Sequence, residues 1–188
     1  VTYFMYRKGT EALSVLLCKH INRGNLLLVN ALTNEGVEFV IIGGVALAYH
    51  GLREVHDVDD LDLLLEPNNK NIEGVISALQ TLALDTSNLS STIKPRTKLP
   101  LKDCPYYAEL IFAEEIERAP EIISGCILVS LGSTTLRLAS VDHLRTMKER
   151  VVKIFHEELK TLEQDKDAHL EKLKKHKRDL EALNDHSE

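Results

Sequence analysis

The chain has no tryptophan, few aromatics of any kind (5%), and only three cysteines among 188 residues. A core without large rings must be built from Leu, Val, Ile and Ala, and a hydrophobic fraction of 44% is enough to supply one. Cys18, Cys104 and Cys126 are odd in number and scattered. None forms a CxxC or pairs with a nearby His at zinc spacing, so they read as buried free thiols in a reducing compartment. A net charge of −6 excludes broad, sequence-blind affinity for nucleic acid, which depends on neutralising phosphates with Lys and Arg, although it leaves room for a local basic groove. No apolar run approaches the ~20 residues of a membrane span, and no signal-peptide pattern is visible. The expectation is a soluble cytoplasmic protein with no membrane partner.

The length favours one domain with a helical extension. Residues 10–21 and 25–35 read as helices, the second ending at Gly36, a residue suited to a left-handed cap. Val37 to Ile42 is a short β-branched apolar run and reads as a buried strand, broken by Gly43-Gly44. Val45 to His50 is a short helix. Leu61 to Leu65 is a second strand, apolar on both faces except at Asp62, as expected at the centre of a sheet. Ile72, Val75, Ile76, Leu79 and Leu82 recur at helical spacing. Residues 84–105, rich in Ser, Thr, Lys and Pro, read as a long loop. Tyr106 to Ala113 is a third strand, and 126–131 with 135–139 a hairpin over Gly132-Ser133. From Val141 an amphipathic helix runs through Leu144, Val151, Phe155 and Leu162; beyond Asp165 the charged tail reads as a solvated, frayed or partner-binding helix. The expected fold class is α/β (α+β): a mixed β-sheet flanked by helices. N-terminal helices (1–36) pack on a core (37–140), and a helical extension (141–188) follows.

Chemistry concentrates between Ile41 and Pro67. A strand-Gly-Gly-helix junction exposes backbone N–H groups and lets a phosphate approach closely, although a Gly-Gly pair alone is also an ordinary tight turn. Asp60 and Asp62 are two apart, so on a strand they share a face. Side by side they repel, and a divalent cation such as Mg²⁺ relieves that repulsion while keeping positions for substrate phosphates. Glu109 is one acid inside an otherwise apolar strand, which makes it either the third carboxylate of a metal-dependent phosphoryl-transfer site or an acid on an edge strand facing water. Glu114 and Glu115, past the strand end, read as solvated. Arg53 can hold a polyphosphate or pair with Asp57 or Asp59. Arg145 and Lys148 read as solvent-facing charges with a phosphate contact as the alternative, and His50 and His56 as structural or supporting residues.

These residues resemble the motif of the polymerase-β-type nucleotidyltransferase superfamily, and more narrowly the small minimal nucleotidyltransferases that include AbiEii-like and toxin–antitoxin members. Its apolar-Gly-Gly/Ser and Asp-apolar-Asp-apolar elements match Ile42-Gly43-Gly44 and Asp60-Leu61-Asp62-Leu63. Ala46 to Gly51, Arg53, Leu63 to Pro67 with Asn71, and Leu138 to Leu144 with Lys148 resemble the branch-specific segments. The spacer after Gly44 is longer than usual. Counting from Arg53 makes Asp57 and Asp59 the metal pair; counting back from Pro67 makes it Asp60 and Asp62, and only these alternate with apolar residues.

The resemblance implies a nucleotidyltransferase fold over 37–140 and transfer of a nucleoside monophosphate from an NTP, ATP among them, to a hydroxyl of a protein, tRNA or small molecule. It implies that Gly43, Gly44 and Arg53 bind the nucleotide, that Asp60 and Asp62 bind Mg²⁺ or Mn²⁺, and that Glu109 completes the catalytic set. Val55 stands where a threonine is usual, and Leu170 where an acid is usual one turn after Lys166-Asp167. Both departures keep two other readings in play. One is an inactive partner protein of toxin–antitoxin type that binds through its C-terminal helix; the other is an NTP-binding regulatory module.

Overall fold

A computed structural model of the chain describes residues 9, 11, 13–15, 17, 24–102, 105–114, 119–162 and 164–186. The helix expected over residues 10–21 falls largely outside these residues, as do Cys18, Cys104 and Glu115. Of its described positions, Leu13 and Leu17 are helical and buried. The chain divides into two compact units, Val1–Ala139 and Ser140–Glu188.

In the first unit, helix α1 (Gly24–Asn34) stops where its sequence says it should. Gly36 takes φ +68°, its N–H donates to Thr33 O, and Val37 N–H donates to Leu32 O. That is the paired-bond ending a left-handed glycine allows. Strand β1 (Phe39–Ile42) follows and is buried throughout. Helix α2 (Gly43–Tyr49) begins at once, and a 3₁₀ turn (Val55–Asp57) leads to β2 (Leu61–Leu65), antiparallel to β1. Helix α3 (Asn69–Thr81) is capped by Asn68, whose side chain accepts the Asn71 N–H at 2.8 Å.

Asn71 is 1% exposed because it braces the strands. Its Oδ1 accepts the Glu38 N–H, and its Nδ2 donates to Glu38 O and Glu66 O. One amide thereby ties the start of β1 to the end of β2.

Residues 84–105 are not the plain loop expected from composition. They hold a one-turn helix α4 (Leu89–Thr92) and a strand β3 (Lys98–Leu101) that pairs antiparallel with β4 (Ala108–Phe112). β3 lies at the sheet edge, where half its residues face water and Pro100 is tolerated, so its apolar signal is weak. After α5 (Ala119–Ser124), β5 (Ile127–Leu131) and β6 (Thr134–Leu138) form the expected hairpin over Gly132-Ser133.

The sheet order is β3-β4-β2-β1-β6-β5, with β2 parallel to β4 and β1 parallel to β6. The central place of β2 explains why its Leu residues are buried on both faces. The fold is thus α/β, with an open mixed six-stranded sheet, helices and a helical C-terminal part.

The second unit is a pair of helices, α6 (Val141–Thr161), capped by Ser140, and α7 (Lys166–Asp185). The tail is not a frayed or fully solvated end. Leu173 and Leu183 are buried, and the pairs Arg145–Leu183, Lys148–Asp179 and Glu158–His169 make the two helices antiparallel. Lys148 and Arg145 do not face water as expected. Lys148 Nζ sits 2.7 Å from Asp179 Oδ2 and 3.1 Å from His176 Nδ1, with 12% and 7% of the lysine and aspartate side chains exposed. Arg145 bonds Asp142 and the Leu183 carbonyl. An ammonium that donates to His176 Nδ1 requires that nitrogen to be unprotonated. Among the described residues no helix is long and apolar enough to cross a membrane.

A nearly buried ion pair that loses one partner leaves an uncompensated charge, which costs about 3–5 kcal/mol. Asp179→Ala is expected to lower the unfolding free energy by about 3 kcal/mol in a urea titration followed by helical circular dichroism. Adding Lys148→Met is expected to recover part of that loss. A single-mutant cost below about 1 kcal/mol, the range of an exposed pair, would show that this contact does not lock the hairpin.

Candidate active site

The end of β1 and the start of β2 meet at one point. Ile42, the last residue of β1, is the register partner of Asp62. The chain then turns through Gly43 at φ +63°, a conformation that costs an L-residue about 1–2 kcal/mol. A Cβ on Gly43 would lie 1.9 Å from Asp62 Oδ2. The carboxylate therefore occupies the space a side chain at 43 would need. A Cβ on Gly44 would lie 2.7 Å from Arg53 Nη1 and 3.3 Å from Val58. The two glycines thus serve different neighbours: Gly43 admits an acid and Gly44 a guanidinium. Ile42, at the N-cap of α2, carries no group that can accept from the first-turn N–H groups.

Glu109 on β4 is the register partner of Asp62 on β2, and in a parallel pair register partners point to one face. Asp60, two residues before Asp62, precedes the strand on that same alternation and is partly covered. The structure so brings Gly43, Asp62 and Glu109 into one row, with Asp60 beside it. Asp57 and Asp59 are not in that row. Asp57 closes the 3₁₀ turn, exposed and 3.6 Å from a still more exposed His56, and Asp59 is also exposed.

Two lysines missing from the sequence reading complete the picture. Lys102 Nζ donates to Asp60 Oδ2 at 3.0 Å, and Lys98 Nζ lies 3.7 Å from Glu109 Oε2. The hydrogen bond to Asp60 and its charge raise the Lys102 ammonium above its ordinary pKa; burial opposes this, and the charges of Glu109 and Asp62 reinforce it. Lys102 therefore feels all three carboxylates. The signal was present in Lys98-Leu99-Pro100-Leu101-Lys102, a period-two pattern placing both lysines on the side of Pro100, which is itself the register partner of Glu109. The proline concealed the strand.

The donor set is three carboxylates, hard oxygen ligands of the kind Mg²⁺ and Mn²⁺ prefer. Among the described residues no three His, Cys, Asp or Glu side chains already stand at ligand spacing. Asp60 and Asp62 fit the role of a metal pair by chemistry and shared face, with Asp60 at present turned to Lys102.

His50 is structural: its Nε2 donates to the Ala139 carbonyl at 2.9 Å, tying the end of α2 to the end of β6. Glu114 is not simply solvated, being 18% exposed and paired with Arg96. Cys126 is a free, half-covered thiol whose pKa is pushed up by burial. A cavity of about 470 Å³, lined by Glu66, Pro67, Asn68, Ala113, Glu114 and Pro120 among others, lies past the ends of β2 and β4. Those parallel strands run from the carboxylates toward it, so it is at the opposite end of the sheet from the carboxylate row.

No protein-family model matches the chain, and no curated protein matches it in sequence.

The glycines give a sharp contrast to test. Gly43→Ala is expected to destabilise by at least about 1–2 kcal/mol from its backbone angle alone and to push Asp62 aside. Gly44→Ala meets the far end of a flexible arginine and, at 3.3 Å, the Val58 side chain, without a positive φ, and is expected to cost less than Gly43→Ala, about 1 kcal/mol. Urea unfolding of the two variants checks this; equal costs would mean that Asp62 does not rest on Gly43.

Proposed function

We propose that this protein is a metal-dependent nucleotidyltransferase that moves a nucleoside monophosphate from an NTP to a hydroxyl of a protein, tRNA or small-molecule acceptor. The observation that carries the reading is the meeting of Gly43 with Asp62, and of Asp62 with Glu109 in register. The missing side chain at Gly43 leaves the space that Asp62 fills, and Asp62 stands in a row of acids on one sheet face whose mutual repulsion a divalent cation would relieve.

In this reading Asp60 and Asp62 hold Mg²⁺ or Mn²⁺, which when bound offsets charge on the phosphates and the leaving pyrophosphate. Arg53, lying over Gly44, orients the polyphosphate, and the Gly43-Gly44 backbone lets it approach. Glu109 accepts the proton of the acceptor hydroxyl. The acceptor oxygen then bonds to the α-phosphorus as the bond from that phosphorus to the pyrophosphate oxygen breaks.

Ligands that bind only the folded state raise its melting temperature by mass action. At about 100 times Kd an NTP with Mn²⁺ is expected to raise Tm by roughly 5–10 °C. The Asp60→Ala/Asp62→Ala variant should lose that shift. Glu109→Gln should keep the shift and lose transfer of label from α-³²P NTP. Absence of any shift with all four NTPs would replace this reading with that of an inactive partner protein.

A further inference from the structure

A cation of the chain itself already rests against one acid of the proposed metal pair. Lys102 Nζ bonds Asp60 Oδ2 at 3.0 Å from just past the end of β3, and Asp62 and Glu109 add to the field at its ammonium. Lys98 does not share this place, because it stands 3.7 Å from Glu109 Oε2. The Lys102 side chain is 54% exposed and that of Asp60 30%. The ammonium is thus close enough to neutralise Asp60 and open enough to leave it.

We infer that Lys102 is the resident counter-ion of Asp60, which a divalent cation must displace from that carboxylate in order to bind. The inference rests on the metal-binding role proposed for Asp60 and Asp62. A charge within 4 Å of a ligand carboxylate competes with an incoming cation for the same lone pairs and repels it as well. At a half-exposed position that competition is worth far less than in a dry interior, but it still sets the affinity. Lys102 thereby tunes the site: it steadies the acids in the metal-free protein and raises the cation concentration at which the site fills.

The probe is Mn²⁺ alone, with the full chain. Electron paramagnetic resonance counts free Mn²⁺ at fixed pH and ionic strength, and circular dichroism checks that each variant is folded. Lys102→Met is expected to bind Mn²⁺ about tenfold tighter than wild type. Lys102→Gln serves as a second charge-removing variant and should behave alike. Lys102→Arg, which keeps the charge, should stay near wild type, and Asp60→Asn should bind more weakly. Equal or weaker binding by Lys102→Met and Lys102→Gln overturns the displacement, while loss of binding in Asp60→Asn leaves the metal role standing. No Mn²⁺ binding by wild type or by either charge-removing variant overturns both.

Discussion

The antiparallel pairing of β1 with β2 sets where everything else in the sheet stands. Its register puts Ile42 opposite Asp62, so the turn that follows Ile42 must pass over that carboxylate. A slip of one residue would send Asp62 to the other face and drive the neighbouring leucines out of their places. Burial resists that slip. Val40, Ile41, Leu63, Leu64 and Leu65 are all at most 1% exposed, and each is worth about 1.5–3 kcal/mol in removal from water. Asn71 fastens the far end of the same pair through three hydrogen bonds to backbone. The position of one acid is therefore held by apolar packing on either side of it, and the cost of partly burying that acid is offset by its neighbours.

β4 extends the argument by one strand. It is parallel to β2, and its first residues are fixed from outside the sheet by Asn25, 3% exposed, whose amide donates to Tyr107 O and accepts Tyr107 N–H. Leu61 N–H also donates to Tyr107 O. Tyr107 is two residues before Glu109, so the brace that starts β4 also fixes the height of Glu109 against Asp62. The side chains of two buried asparagines thus do in this sheet what extra strand length would otherwise do: they define register where the strands are only four or five residues long.

Legibility followed burial. β2, the β5–β6 hairpin and the α1 ending could be read because each couples an apolar pattern to a turn residue, and the structure has them within a residue or two of the expected limits. β3 could not, because an edge strand buries only every second residue and Pro100 speaks against it locally. Losing β3 also lost Lys98 and Lys102, which have meaning only once Pro100 is placed opposite Glu109. The tail was misjudged for a related reason. Its charges suggested solvent, yet Asp179 is 6% exposed because Lys148, 31 positions earlier in sequence, supplies its partner. Pairing at that separation leaves no local pattern. The Asp57/Asp59 and Asp60/Asp62 alternatives, by contrast, were both visible; what the sequence lacked was the Ile42–Asp62 register that sets Asp62 against Gly43.

The edge position of β3 bears on how freely its lysines can act. The strand is held by its ladder with β4, from Lys98 opposite Ile111 to Leu101 opposite Ala108, and by further bonds from Arg96 N–H to Phe112 O and Phe112 N–H to Thr97 O. The ion pairs Lys98–Glu109 and Lys102–Asp60 lie at the surface, where each adds no more than about 1 kcal/mol. Backbone pairing, then, and not the lysines, keeps β3 in place. A lysine ammonium can leave its carboxylate without the strand leaving the sheet, and Asp60 sits where that exchange meets least resistance: outside the strand, partly exposed, and two residues from an acid that the core does not let move.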